Sequence, residues 1–220
     1  ADRLTREMAV DVFARMYGPD DSRDSVMQAI SETGMSAYLG ADILRTASQN
    51  YSSSIEYEAE VEIAQSLRDI AQVLLADLGT RVFYTQHGGY DTHAGELDNH
   101  ARLWHELSTA VNDFIADLDE HGRGDDAVVM IFSEFGRRIQ DNGSGTDHGS
   151  GGISFVIGNS VKGGFYGEYP SLDPSEQVEG DMRFNNDFRG LYSTLLERWM
   201  GVDSQAVLNT NYEQFDMIRR

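Results

Sequence analysis

Arg81-Val82-Phe83-Tyr84-Thr85-Gln86-His87-Gly88-Gly89-Tyr90-Asp91-Thr92-His93 holds a β-rich run, Val82-Phe83-Tyr84, that breaks at His87-Gly88-Gly89 and gives way to cation-binding side chains. A short run of β-branched and aromatic residues bounded by glycine predicts a buried strand. Beyond the turn, Leu97, His100, Trp104, Leu107, Val111, Phe114 and Leu118 alternate spacings of three and four. That is the pattern of a long amphipathic helix, which stops near Gly122. Strand, loop and helix in this order open a βαβ unit.

Downstream, the run Ala127 to Phe132 is short, continuous and β-branched, as expected for a strand covered on both faces, and Ser133-Glu134-Phe135-Gly136 ends it. Ile153 to Ile157 and Phe165-Tyr166 are further strand candidates, and Phe188, Leu191, Leu195 and Trp199 mark a last helix closed by Gly201. Upstream, Tyr57, Val61, Ala64, Leu67, Ala71, Leu74 and Leu78 form one apolar face of a helix ending at Gly79. The Ser-rich stretch Gln49 to Ser54 reads as a flexible connection. Before it, two or three short helices are expected, interrupted by Tyr17-Gly18-Pro19-Asp20, Gly34 and Gly40. The chain thus reads as a helical N-terminal portion, residues 1–54, and an α/β metal-site domain, residues 55–220, in one continuous domain.

The 220 residues suffice for one sizeable core. With 17 basic and 37 acidic side chains the formal net charge is −20, which repels phosphate backbones and anionic lipid heads and argues against nucleic acid or a membrane surface as partner. An anionic small substrate is repelled too, so chemistry on one requires a local positive centre, arginines or a bound cation. There is no cysteine, so any metal must use His, Asp or Glu. No apolar run approaches the ~20 residues that span a bilayer, and the opening residues lack a signal-peptide pattern.

In open α/β sheets ligands gather at the carboxyl ends of strands. Asp91 and His93 follow the first strand, Glu134 the second, and Asp147 and His148 lie in the glycine-rich loop Gly143 to Gly152. Side chains separated by one residue on an extended segment point the same way, so Asp91 and His93 can ligate one cation together. Carboxylate and imidazole without thiolate suit Zn²⁺, Mn²⁺ or Fe²⁺ better than calcium. A helix-capping turn accounts equally well for Asp-Thr-His, an ion pair with Arg137 or Arg138 for Glu134, and a plain turn for Asp147. Against these stands one coincidence: of 6 histidines, two sit beside carboxylates in post-strand loops. Around the site, His87, Thr92, His100, Ser133, Arg137 and Arg189 are candidates to contact substrate or support the ligands. His100 also fits a packed core histidine, and Asn186-Asp187-Phe188-Arg189 also fits a helix cap.

The ordered motifs Gly88 to His93, Ser133-Glu134-Phe135-Gly136-Arg137, Gly145-Thr146-Asp147-His148-Gly149, Gly163-Gly164-Phe165-Tyr166-Gly167 and Asp187-Phe188-Arg189 resemble the C-terminal half of a bacterial family labelled domain of unknown function fifteen-oh-one. That family is placed in the alkaline phosphatase and sulfatase superfamily. The resemblance implies a doubly wound, mostly parallel sheet flanked by helices, carrying one or two divalent metals, Zn or Mn, that cleave small anionic phosphate or sulfate esters. Asp91 and His93 resemble the first metal's ligands and His148 a later ligand to it. Ser133-Glu134 stands where the superfamily has Asp-His for a second metal, so Glu134 is a ligand or the general base. No strand with a nucleophilic Ser or Thr is found among residues 1–60, and the twin-arginine export signal usual in the family is not seen. Either the chain is the C-terminal part of such a hydrolase or its active site is incomplete. The alternative is a non-catalytic exported metal-binding or assembly module that holds an exported protein partner. Export implies the periplasm or cell surface.

Overall fold

Gly34 and Gly40 do not interrupt the first described element: α1 is one helix of 26 residues, Ser25–Asn50. A glycine costs a helix interior only about 1 kcal/mol relative to alanine, and many flanking hydrogen bonds absorb that. The structure is a computed structural model and describes residues 25–219, the side chains of Leu39 and Asp42 excepted, with Met8, Asp11, Val12, Arg15 and Met16. The break expected at Tyr17-Gly18-Pro19-Asp20 lies outside the described residues. The chain divides into two compact units, residues 1–52 with 69–83, and residues 53–68 with 84–220. The first holds α1 and the second half of α2 (Glu62–Leu75), where Ala71 is buried.

The second unit contains α3 (Glu96–Glu120), which starts and stops where its periodicity says. Its buried stripe runs Leu103, Leu107, Ala110, Val111, Phe114 and Leu118. At the N-terminal end the stripe opens, with Leu97 85% and Trp104 40% exposed. The serines read as a flexible connection are instead tied down: Ser53 and Ser54 donate to the Glu120 carboxylate, Ser54 Oγ at 2.7 Å. Nearby, Tyr57 Oη donates to the buried Asp117 at 2.9 Å.

The sheet differs most from expectation. Among the described residues the strands form two small antiparallel pairs, β1 (Val129–Ile131) with β4 (Phe155–Ile157) and β2 (Gly136–Asp141) with β3 (Thr146–Gly149). The doubly wound, mostly parallel sheet of alkaline phosphatase/sulfatase type is therefore corrected to a helix-rich chain with two two-stranded sheets. Arg81 to Gln86 belongs to no strand; Phe83 and Thr85 are half-buried while Val82 and Tyr84 are 69% and 70% exposed. The physical reason is that β-propensity reports fit to a half-buried pleated surface and is silent on pairing. Local pairing through a short turn at Asn142 to Gly145 joins β2 and β3, in a segment that glycine content marked as loop.

The helix expected near the C-terminus, α4 (Phe188–Thr194), is capped by Asp187, which accepts from Arg189 N at 2.9 Å, and runs on into a wider turn over Leu195–Trp199. After α5 (Ser204–Leu208) the tail returns to the body: Met217 and Ile218 join Leu191 in a buried cluster, and Lys162 N donates to Met217 O at 2.7 Å. Among the described residues no helix is long and apolar enough to cross a membrane.

Candidate metal centre

Gly89 turns the chain into the site with φ 95°, a conformation that disfavours a side chain, and a Cβ there would press on Leu103 at 3.3 Å. Thr92 N then closes a tight turn on Tyr90 O at 2.9 Å, which leaves Asp91 and His93 projecting on either side of Thr92. From the other direction, β3 delivers His148. The β2–β3 pair sits close because Gly149 has no Cβ; one would lie 2.7 Å from the Arg137 backbone.

These segments bring three ligand atoms together. His148 Nε2 stands 2.6 Å from Asp91 Oδ1, and His93 Nδ1 stands 3.5 Å from the same oxygen. One donor atom from each of Asp91, His93 and His148 lies within 4.8 Å of the others, so the three can hold a metal ion. A carboxylate only accepts, so Nε2 of His148 carries the hydrogen in this pair. A cation at the site would take the place of that proton. The His93 and His148 rings are 4.9 Å apart, and Phe135 stacks on His148 at 3.9 Å with 12° between the planes. The three ligand side chains are open to solvent, Asp91 at 67% and His148 at 41% exposure.

Beneath them is a polar frame. Arg137 Nη1 donates to Thr92 O and Thr146 O at 2.6 Å each, and Nη2 donates to Tyr90 O. Glu96, on the first turn of α3, accepts from Thr146 N at 2.7 Å and Thr146 Oγ1 at 2.9 Å, and stands 3.9 Å from Arg137. Burial pushes the Glu96 carboxyl up, but the two Thr146 hydrogen bonds and the charges of Arg137 and His100 outweigh it and hold the group below its ordinary value. His100 Nε2 meets Thr92 Oγ1 at 3.1 Å and Tyr90 O at 3.2 Å, so it braces the ligand loop instead of packing in the core. His87 lies behind, between Tyr90 Oη at 3.0 Å and Glu106 at 3.3 Å. Burial and the Glu106 charge push the Tyr90 phenol up to about 12.

The remaining candidates lie outside the three-ligand group. Asp147 shares β3 with His148 but, as its neighbour in the strand, faces the opposite side and accepts from Asn142 at 3.1 Å. Glu134 and Ser133 are exposed in the turn before β2. Arg189 is engaged by Asp187 at 2.6 Å and lies 4.6 Å over the Tyr212 ring, at the head of α4. Three contributors were not singled out from the sequence: Glu96, Phe135 and Asn142, whose Nδ2 also donates to His93 O at 3.1 Å. Their roles depend on hairpin pairing, which brings Gly145 so close to α3 that a Cβ there would lie 2.9 Å from Glu96.

Fold and site together define a helix-rich chain with an exposed carboxylate and bis-imidazole cluster of cation-binding type. The profile of the family described as Protein of unknown function (DUF1501) matches residues 10–215, and the chain belongs to that family. No curated protein and no solved structure matches it.

Proposed function

We propose that the chain is a metal-dependent hydrolase of phosphate or sulfate esters, with Asp91, His93 and His148 holding one divalent cation, Zn²⁺ or Mn²⁺. The observation that carries this is convergence: His148 and Asp91 are 57 positions apart yet within 2.6 Å. The donor set fits such an ion. A tetrahedral centre with bonds of about 2.1 Å keeps neighbouring donors about 3.4 Å apart; Asp91 and His93 stand at 3.5 Å, and the hydrogen-bonded His148–Asp91 pair at 2.6 Å would open as a cation replaced the proton. Three protein ligands leave a position for substrate, as catalytic sites do. The order of the ligands is similar to the first metal site of alkaline phosphatases and sulfatases; the reading rests on this site and not on the sheet.

When bound, the cation supplies Lewis acidity toward an ester oxygen and reverses the acidic field locally. We assign Glu134 the role of general base, because it is exposed and precedes Phe135, the residue stacked on His148. It takes a proton from the attacking water as a new P–O or S–O bond forms and the ester P–O or S–O bond breaks, and that proton passes on to the departing oxygen, which leaves as the alcohol. By the same resemblance, the chain acts in the periplasm or at the cell surface.

One observation favours the second reading, a non-catalytic exported metal-binding or assembly module. Arg137 and Arg189, expected at an anionic substrate, are engaged by backbone carbonyls and by Asp187. Assay of the Zn²⁺- and Mn²⁺-loaded protein on aryl phosphate and aryl sulfate separates the two. Hydrolysis is expected, falling at least ~100-fold in His93→Ala and His148→Ala. Metal uptake without turnover of either ester would instead support the binding module.

A further inference from the structure

We propose that Arg137 is the positioning residue that sets the distance between the two halves of the metal site, a role that rests on the metal reading above. Asp91 and His93 belong to one segment and His148 to another, so their separation is not fixed by local geometry. Arg137 touches both. Its backbone lies directly opposite His148 in the β2–β3 ladder. Its guanidinium grips the carbonyls of Tyr90 and Thr92, which belong to the peptide groups leading into Asp91 and into His93. Peptide groups are planar and stiff, so holding those two oxygens fixes where both ligand side chains begin.

The third carbonyl, Thr146 O at 2.6 Å, ties the same fork to β3 two residues before His148. Glu96 completes the arrangement from α3, holding Thr146 while facing Arg137 at 3.9 Å. Both side chains are largely covered, Arg137 at 19% and Glu96 at 17% exposure, while the ligands they serve are open. Phe135 adds a link, since it stacks on His148 and lies 5.1 Å below the Arg137 guanidinium. An ammonium is a point donor and cannot span three carbonyls, whereas a planar fork can. Arginine is thus required here for its geometry, beyond the charge it presents to Glu96.

Cobalt(II) titration followed by visible absorption tests this, with wild type, Arg137→Lys and Arg137→Met compared and metal-free thermal unfolding measured on each. Expected are saturable binding by wild type and a 10–100-fold weaker affinity in both variants, the loss typical of ligand-supporting residues. The absorption band of Arg137→Lys should also be shifted, which a merely stabilising contact would not produce. Wild-type affinity and band shape in Arg137→Lys would overturn the clamp alone. A wild type that binds no cobalt would overturn the metal reading and the clamp with it. Variants that fail to fold would assign Arg137 to the fold instead and overturn its role in setting the ligands.

Discussion

Glu96 accepts both the amide and the hydroxyl hydrogen of Thr146, a residue 50 positions away, and this makes a stability that depends on pH. Burial raises its pKa, but the Thr146 hydrogen bonds and the neighbouring Arg137 and His100 charges lower it further, so the folded value lies below the unfolded one. For a depressed carboxyl the contribution is complete above the unfolded value, about 4.3, and is lost as pH falls through the folded value. Glu96→Gln should therefore flatten the fall in Tm below pH 5 relative to wild type, while lowering Tm at pH 7. Parallel acid-side profiles for the two proteins would contradict this. In the sequence Glu96 is merely an acidic residue in a helix first turn, where dipole compensation is explanation enough. Asp91, His93 and His148 drew notice because each imidazole stands beside a carboxylate in the sequence, although among the described residues no strand precedes Asp91, and His148 lies within β3. Glu96, Phe135 and Asn142 were not, because residue type alone does not distinguish an acid, a ring or an amide that serves a site from one that serves a surface.

The later helices and the strands at Val129–Ile131 and Phe155–Ile157 were legible, whereas the pairing of strands and the unbroken helix Ser25–Asn50 were not. A helix satisfies its backbone within its own segment, so the spacing of Leu103, Leu107, Phe114 and Leu118 carries the information needed for α3. A strand needs a partner, and nothing in Val82-Phe83-Tyr84 names one. The hairpin shows what decided the pairing instead: Gly136 and Gly149 lack the Cβ atoms that would keep the strands' neighbours apart. A Cβ at Gly136 would lie 1.8 Å from Gly151 O, a clash with backbone that no side-chain rotation can relieve. Gly136→Ala should accordingly destabilise the protein by about 1–3 kcal/mol in urea unfolding. Gly40→Ala should do the reverse, because its Cβ meets nothing within 4 Å inside α1, and replacing a helical glycine gains about 0.5–1 kcal/mol. Equal effects of the two substitutions would show that close approach is not what holds the hairpin.

At the scale of the whole chain the net charge of −20 is a cost that salt relieves. Screening at ~150 mM ionic strength shortens the reach of charge to about 8 Å, so Tm should rise as NaCl is added to a low-salt solution. A Tm that falls with added salt would mean that specific ion pairs outweigh the overall repulsion. The same acidity favours a cation at the proposed site, since the global field attracts positive charge and Asp91, His93 and His148 can hold a metal ion. Elemental analysis after dialysis against buffered zinc measures that directly. Wild type should retain about one equivalent of metal, and Asp91→Asn, His93→Ala and His148→Ala should each retain a small fraction of it. A wild type that emerges metal-free, or variants that retain as much as wild type, would contradict the assignment of these three residues to one metal centre.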